Sequence, residues 1–433
     1  MNKKRWMAAA ILVSVALTAG CGQKGGSGTA DPAVSKTEEK SGSKSGSPVT
    51  VNYYGRPDDN KVESTIVAAF EASHPDIKIN YVELPDSSND RLKTINTVLQ
   101  AGDASIDVFA GDVVWPPIFA SAGWVIPFDE YLTEGELGEY LSGPLSAFQL
   151  QGKTYGLPFM SDAGGLYYRK DLLEKYGKEV PKTWAELKET AAEIVEKEGN
   201  PDLKGFVSYW KQAESLTGSM LEMYWEKGGR VINDDGTSAI DQALLEETLA
   251  DMKKMMDDGL TAPGIETFGT KEARDVVCAG NAVFARDWLS GYGPFNDAET
   301  SKVAGNMMLA PLPGDGCLGG WGVMVSSFSK HQAEAVEFAR FRANYESQMT
   351  AFDLVDIKPT LKKVFEDPEI LAKKAEMPQY LKALDHSRPR PQSPYYAEIS
   401  GIMQLEIHSV ITGMSTPADS ADKIVKQVKQ VIQ

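Results

Sequence analysis

Thr50-Val-Asn-Tyr-Tyr54, the alternating run Ile77 to Val82, and Ile106 to Ala110 with Asp112 just behind it read as three strands. Between the first two, Val62, Ile66, Val67 and Phe70 fall on one helical face, and Pro75 stops that helix. Between the second and third, Leu92, Ile95, Val98 and Leu99 mark another such face. Strand and helix therefore alternate from residue 50 to residue 112. That order implies parallel pairing and an α/β lobe, with ligands expected at the carboxyl ends of the strands.

Outward from this unit the signals thin. Gly156 to Tyr168 is glycine-rich and leads into a helix at Asp171. Thr183 and Glu186 have the spacing of a capping box, and Trp184, Leu187, Ala191 and Ile194 line one face behind them. Asn233-Asp-Asp-Gly236 is a hairpin turn signal that lacks the spacing of a calcium loop. Ala282 to Trp288 and Trp321 to Ser326 read as strands, and Ile424, Val425, Val428, Val431 and Ile432 as a closing amphipathic helix.

The 433 residues are 42% hydrophobic and 24% charged, which excludes a wholly disordered chain. The one long apolar run is N-terminal, which excludes a multispanning membrane protein. A net charge of −17, from 44 basic and 61 acidic residues, repels phosphate backbones and argues against a nucleic-acid partner. Three cysteines make no disulfide framework, and the four histidines form no H-E-x-x-H pair.

The N-terminus reads as an address. Lys3-Lys4-Arg5 precede the apolar run Trp6 to Ala19, and Leu17-Thr-Ala-Gly-Cys21 resembles the bacterial lipobox. Residues 1–20 are expected to be a lipoprotein signal peptide and Cys21 a lipidated first residue, holding the protein on the outer face of the cell membrane. Two acyl chains suffice for that, at roughly 0.8 kcal/mol per buried methylene. The Gly/Ser/Lys/Glu-rich residues 21–47 then form a flexible tether.

No nucleophile elbow occurs, and Gly152-Lys-Thr154 lacks the first glycine of a phosphate loop, since residue 147 is alanine. What stands out is a set of aromatics near glycines or strand ends, namely Trp115, Tyr209, Trp210, Trp288 and Trp321. Asp59, Arg91, Asp112, Asp162 and Arg390 are the charged candidates on adjoining segments. A sugar offers an apolar C–H face suited to tryptophan and a hydroxyl rim suited to carboxylates and guanidinium groups.

From Val49 onward the chain resembles an extracellular solute-binding protein (family 1) of a carbohydrate ABC importer, close to the trehalose/maltose-binding type. The resemblance rests on Ala69 to Pro75, Asp107 to Asp112, Ser121-Ala-Gly-Trp124 and Tyr155-Gly-Leu-Pro158. Leu166 to Leu173, Pro181 to Glu186, Gly319-Gly-Trp321 and Arg388-Pro-Arg-Pro391 with Tyr395-Tyr396 complete it. It implies an α/β, two-lobed periplasmic-binding-protein-like fold (type II) with a three-segment hinge and the ligand in the cleft. The crossings fall near Pro158–Asp162, Val325–Lys330 and Ser387–Pro391. The lobes then take residues 48–158 with 329–388, and 159–328 with 389–433.

Carried over position by position, the resemblance makes Asp59, Arg91, Asp112, Asp162, Trp288, Gly320, Trp321 and Arg390 ligand-binding. Tyr209 and Trp210 would form a further cleft wall. Met160 and Ser290 stand where the family carries aromatics, which thins the stacking surface. The implied protein is a monomeric receptor without a cofactor or metal. It captures a disaccharide or short oligosaccharide and delivers it to ABC permease subunits. The alternatives are another solute on the same fold, such as a glycerol phosphoester or polyamine, and a glycoside-active enzyme using Asp112 and Asp162. Cys278 and Cys317 are expected as two separate thiols, with a bridge as the alternative.

Overall fold

In the computed structural model, which describes residues 47–433 apart from Asp234, the expected βαβαβ unit opens the chain. The signal peptide, Cys21 and nearly all of the tether lie outside the described residues. Strand β1 (Val49–Gly55) lies between β2 (Ile77–Glu83) and β3 (Val108–Asp112), parallel to both. Side chains alternate across this sheet, so Val108 and Ala110 join Phe70 of α1 (Val62–Ser73) in one core. Phe109 joins Ile95 and Leu99 of α2 (Ser88–Gln100) on the other face. Asp58 fixes the start of α1 by accepting the backbone N–H groups of Glu63 and Ser64 at 2.8 and 2.9 Å. Such a cap contributes about 1 kcal/mol.

Two long strands carry the sheet from the first lobe into the second. Leu157–Arg169 forms β4 and Gly316–Val325 forms β8. Residues 321–325 of β8 run antiparallel to β3, while Leu318 and Gly319 pair with Ala163 and Asp162 of β4. Beyond this point β4 pairs with β6 (Ala282–Trp288) and β7 (Met307–Pro311), and β5 (Lys204–Val207) flanks β6. A second core gathers Leu187 of α3 (Trp184–Glu198), Met220 of α4 (Glu214–Glu226) and Leu249 of α5 (Gln242–Asp257). Ile407 of α6 (Tyr396–Ile411) and Ile424 of α7 (Pro417–Ile432) complete it.

Within β8, residues 318–320 pair with β4 and residues 321–325 with β3, so Val325–Lys330, expected as the second crossing, starts beside β3. Val325 is paired with Val108, and Ser329 donates to Asp107 at 2.5 Å, so that segment belongs beside β3. The glycine-rich residues 157–168 and 316–320 form strand, because their low β-propensity is overridden by pairing on both sides. Helix Met377–Asp385, expected in the first lobe, packs on β7 and the middle of β4, where Tyr380 donates to the Ser161 carbonyl at 2.7 Å. At Thr183 only half of the capping box forms. Its Oγ1 accepts the Glu186 N–H at 3.1 Å, while the Glu186 carboxylate accepts from Lys182, one residue before the cap.

Candidate functional site

Strand register brings the site together. Asp112 ends β3 directly opposite Trp321 of β8. Gly319 lies opposite Asp162 on β4, and Gly164, two residues further along β4, opposite Trp288 of β6. Two carboxylates and two indoles from four strands therefore collect where the lobes meet. Gly320 makes the passage possible. Its φ is +123°, and a Cβ there would stand 2.4 Å from the Met160 carbonyl oxygen.

Trp321 is half-buried. The Arg91 guanidinium lies 4.7 Å from its ring centroid and that of Arg56 5.6 Å, while Trp115 meets it edge-on at 5.4 Å. Arg91 is itself buried, donating through Nε to the Pro85 carbonyl at 2.6 Å and through Nη2 to that of Asp86. Its Nη1 has no hydrogen-bond partner among the described residues. Burial, reinforced by the like charge of Arg56, lowers the Arg91 pKa to about 10.

Asp112 accepts from Ser88 Oγ at 3.3 Å and from Arg390 Nη2 at 3.2 Å. Arg390 donates its Nη1 to Glu214 at 2.6 Å, and Glu214 also accepts from Tyr396 and Ser400. Arg390 thus joins a first-lobe strand end to the start of a second-lobe helix. Burial opposes its charge, but Asp112 and the surrounding anionic groups outweigh burial and hold its pKa above the ordinary arginine value.

Asp162 is buried, and its Oδ1 accepts the N–H groups of Ala163 at 2.9 Å and Ser290 at 3.4 Å. Burial raises this carboxyl to about 6, against the smaller pull of its two hydrogen bonds. Ser290 in turn accepts from Arg274, which also grips Asp287 through Nε at 2.8 Å.

Openings flank this cluster. One, of about 350 Å³, lies between α2 and α6 and is lined by Ser88, Asn96, Trp115, Glu214 and Ser400, among others. The other, of about 620 Å³, is lined by Asp86 together with Arg274 and Asp275 of the helix Thr270–Cys278. Two larger depressions elsewhere, of about 680 and 760 Å³, contain none of the sequence-expected site residues.

Residues 58–349 match the bacterial extracellular solute-binding protein family. The chain belongs to that family. A probable ABC transporter-binding protein of Deinococcus radiodurans is 28% identical over 369 residues, covering 82% of this chain and 86% of the relative. The galactooligosaccharide-binding protein of Bacillus subtilis is 26% identical over 396 residues, covering 85% and 86%. Maltose-bound MalE3 of T. maritima superposes with a TM-score of 0.80 at 31% identity, over 88% of this chain and 99% of that one. The two-lobed α/β architecture expected from the resemblance is the one this solute-binding protein has.

Within this solute-binding protein the expected residues separate. Arg91, Asp112, Trp321 and Arg390 form one cluster, and Asp162 and Trp288 sit beside it across Gly319 and Gly320. Asp59 is exposed in the turn before α1, and its neighbour Asp58 does the capping. Tyr209 and Trp210 are not cleft wall. Trp210 is 1% exposed in the second-lobe core, and Tyr209, at 0%, sits between Arg286 and Asp287. Ser88, Glu214, Arg274 and Arg56 were missed. Glu214 at a helix start looks like any solvated first-turn acid, and the others carry no local signal. Cys278 and Cys317 are both free thiols, as expected.

Proposed function

We propose that this protein is a lipid-anchored receptor of an ABC importer that captures a sugar between its lobes and presents it to membrane permease subunits. The observation that carries the reading is the Trp321/Trp288 pair bordered by Asp112, Asp162 and Arg91. Two half-buried indoles offer apolar faces, Arg91 Nη1 is a buried donor left unused by the protein, and the Asp112 and Asp162 carboxylates stand beside them as acceptors. That combination suits a neutral polyol, stacked on its C–H face and hydrogen-bonded at its rim. A phosphoester would want a surplus of cations here, and a polyamine would be repelled by Arg91 and Arg56.

The named relatives support a sugar, one being a galactooligosaccharide-binding protein and another holding maltose. The opening between α2 and α6 is lined by Trp115 and by Ser88 and Glu214, the partners of Asp112 and Arg390, and its size leaves room for more than one ring, which favours a disaccharide or longer. Anchoring by Cys21 rests on the lipobox and tether. Among the described residues no helix is long and apolar enough to cross a membrane.

A raised Asp162 is also what a general acid of a glycosidase requires, so a second reading is hydrolysis with Asp112 as its partner. Binding without turnover is favoured because the relatives are binding proteins. A thermal-shift screen of mono-, di- and oligosaccharides tests the proposal. A ligand at 100 times its Kd adds ~2.7 kcal/mol of stability. A screen in which no saccharide or polyol raises the melting temperature would count against it.

A further inference from the structure

The ring of Trp288 has a support of its own. Arg286, two residues earlier on β6 and on the same face of the sheet, places its guanidinium 4.4 Å from the Trp288 centroid. The far edge of the indole lies on Gly319, where a Cβ would come within 2.8 Å of Cζ3. One face and one edge of the ring are therefore occupied by protein.

Arg286 is 1% exposed, and each of its three nitrogens donates to protein. Nε donates to Glu222 Oε2 at 2.7 Å, Nη2 to Glu222 Oε1, and Nη1 to the Tyr209 hydroxyl at 2.5 Å. Glu222, fully buried on α4, accepts in addition the Cys317 N–H at 3.0 Å. Gly164 makes room for this pair, since a Cβ there would stand 2.1 Å from Glu222 Oε1. Cys317 belongs to β8, the strand that carries Gly319 and Trp321. The planar fork of an arginine held through all three nitrogens thus lies against Trp288 and is referenced to the strand bearing the other indole.

We infer that Arg286, held by Glu222 and Tyr209, is a positioning residue that fixes the Trp288 ring and thereby sets the affinity of the sugar site. The inference rests on the sugar-binding reading for its consequence, though not for the ring's order. Arg286 touches no ligand in this scheme. Each of its nitrogens is held by protein, and a flat face of the guanidinium lies against Trp288.

The test combines a double-mutant cycle with a ligand-free probe. Arg286→Met, Trp288→Ala and the double variant are compared for maltose and maltotriose affinity by calorimetry. The same proteins are labelled with 5-fluorotryptophan, and the Trp288 resonance is assigned by its absence in Trp288→Ala. Arg342→Met serves as control, because Arg342 is an equally buried arginine paired with Glu63 and stacked at 3.7 Å on Phe159 in the first lobe. A merely structural arginine would behave as that control does.

The expected result is a shifted or broadened Trp288 resonance in Arg286→Met but not in Arg342→Met. Affinity should fall about tenfold in the parent background and no further in Trp288→Ala, since coupled residues are non-additive. Where Arg286→Met does not fold, Glu222→Gln is used in its place. An unchanged Trp288 resonance, or the same loss of affinity in both backgrounds, overturns the inference. If the parent binds neither sugar, the receptor reading suffers, and the resonance comparison alone decides whether Arg286 positions the ring.

Discussion

Asp112 and Trp321 are directly opposed residues of adjacent antiparallel strands, so a carboxylate and an indole leave the sheet side by side. The pairing places an acceptor beside an apolar face without any loop having to be ordered. It also ties the site to the passage between lobes, because Gly320, one residue before Trp321, takes the backbone across Met160.

Removing either indole should cost binding and spare the fold. Both rings are half-buried, and truncated aromatic anchors commonly lose ~2 kcal/mol or more. Trp288→Ala and Trp321→Ala are expected to weaken sugar binding by this amount, with melting temperatures close to the parent's. Equilibrium titrations followed by tryptophan fluorescence provide the check. Two variants that bind as well as the parent would place the platform elsewhere.

Asp162 gives stability and binding opposite pH dependences. Its folded pKa, about 6, lies above the ordinary 3.8, so the proton is held more tightly in the folded state. Its contribution to stability is fully present below about 3.8 and is lost as pH rises through about 6. A ligand hydroxyl needs the ionised form as acceptor, so affinity should fall as pH drops through the same value. Calorimetry at pH 7 and pH 5 should show a Kd about tenfold weaker at the lower pH in the parent. In Asp162→Asn binding should be weaker throughout and flat with pH. A flat profile in the parent would show that the ligand does not use this carboxylate.

The opening strands were legible because their apolar residues alternate and their helices keep one face. Asp112 was legible for the same reason, as the acid just behind a strand. Glu214 and Ser88 were not. Their importance comes from Arg390 and Asp112, which topology brings together from 278 residues apart. The glycine-rich halves of β4 and β8 carry no strand signal of their own, since nothing local reports that Gly164 must admit Glu222 or that Gly319 must admit Trp288. Trp210 misled in the opposite sense, as a tryptophan near a strand end that is core.

Arg390 should behave as a strut more than as a free donor. It is buried between Asp112 and Glu214, and removing one partner of a buried ionic network commonly costs ~3–5 kcal/mol. Arg390→Met is expected to lower the denaturant midpoint and also to weaken sugar binding, because Asp112 loses its partner. Urea unfolding together with calorimetry measures both. Unchanged stability would show that the network contributes little.

A thiol count separates two claims at once. Cys278 and Cys317 are free, and a lipidated Cys21 carries a thioether. The denatured, unreduced, membrane-derived protein should therefore show two titratable thiols. Three would mean that Cys21 is unmodified, and none would mean that Cys278 and Cys317 are bridged.

The central claim is that the cleft captures sugar and returns it unchanged. The most direct measurement is calorimetric titration of maltose, maltotriose and galactooligosaccharides into the purified protein, with chemical analysis of the sugar recovered after long incubation between pH 4 and 8. The account predicts saturable binding of at least one saccharide at one site per chain, with the sugar recovered intact. Release of reducing sugar in proportion to protein, abolished by Asp162→Asn, would contradict it.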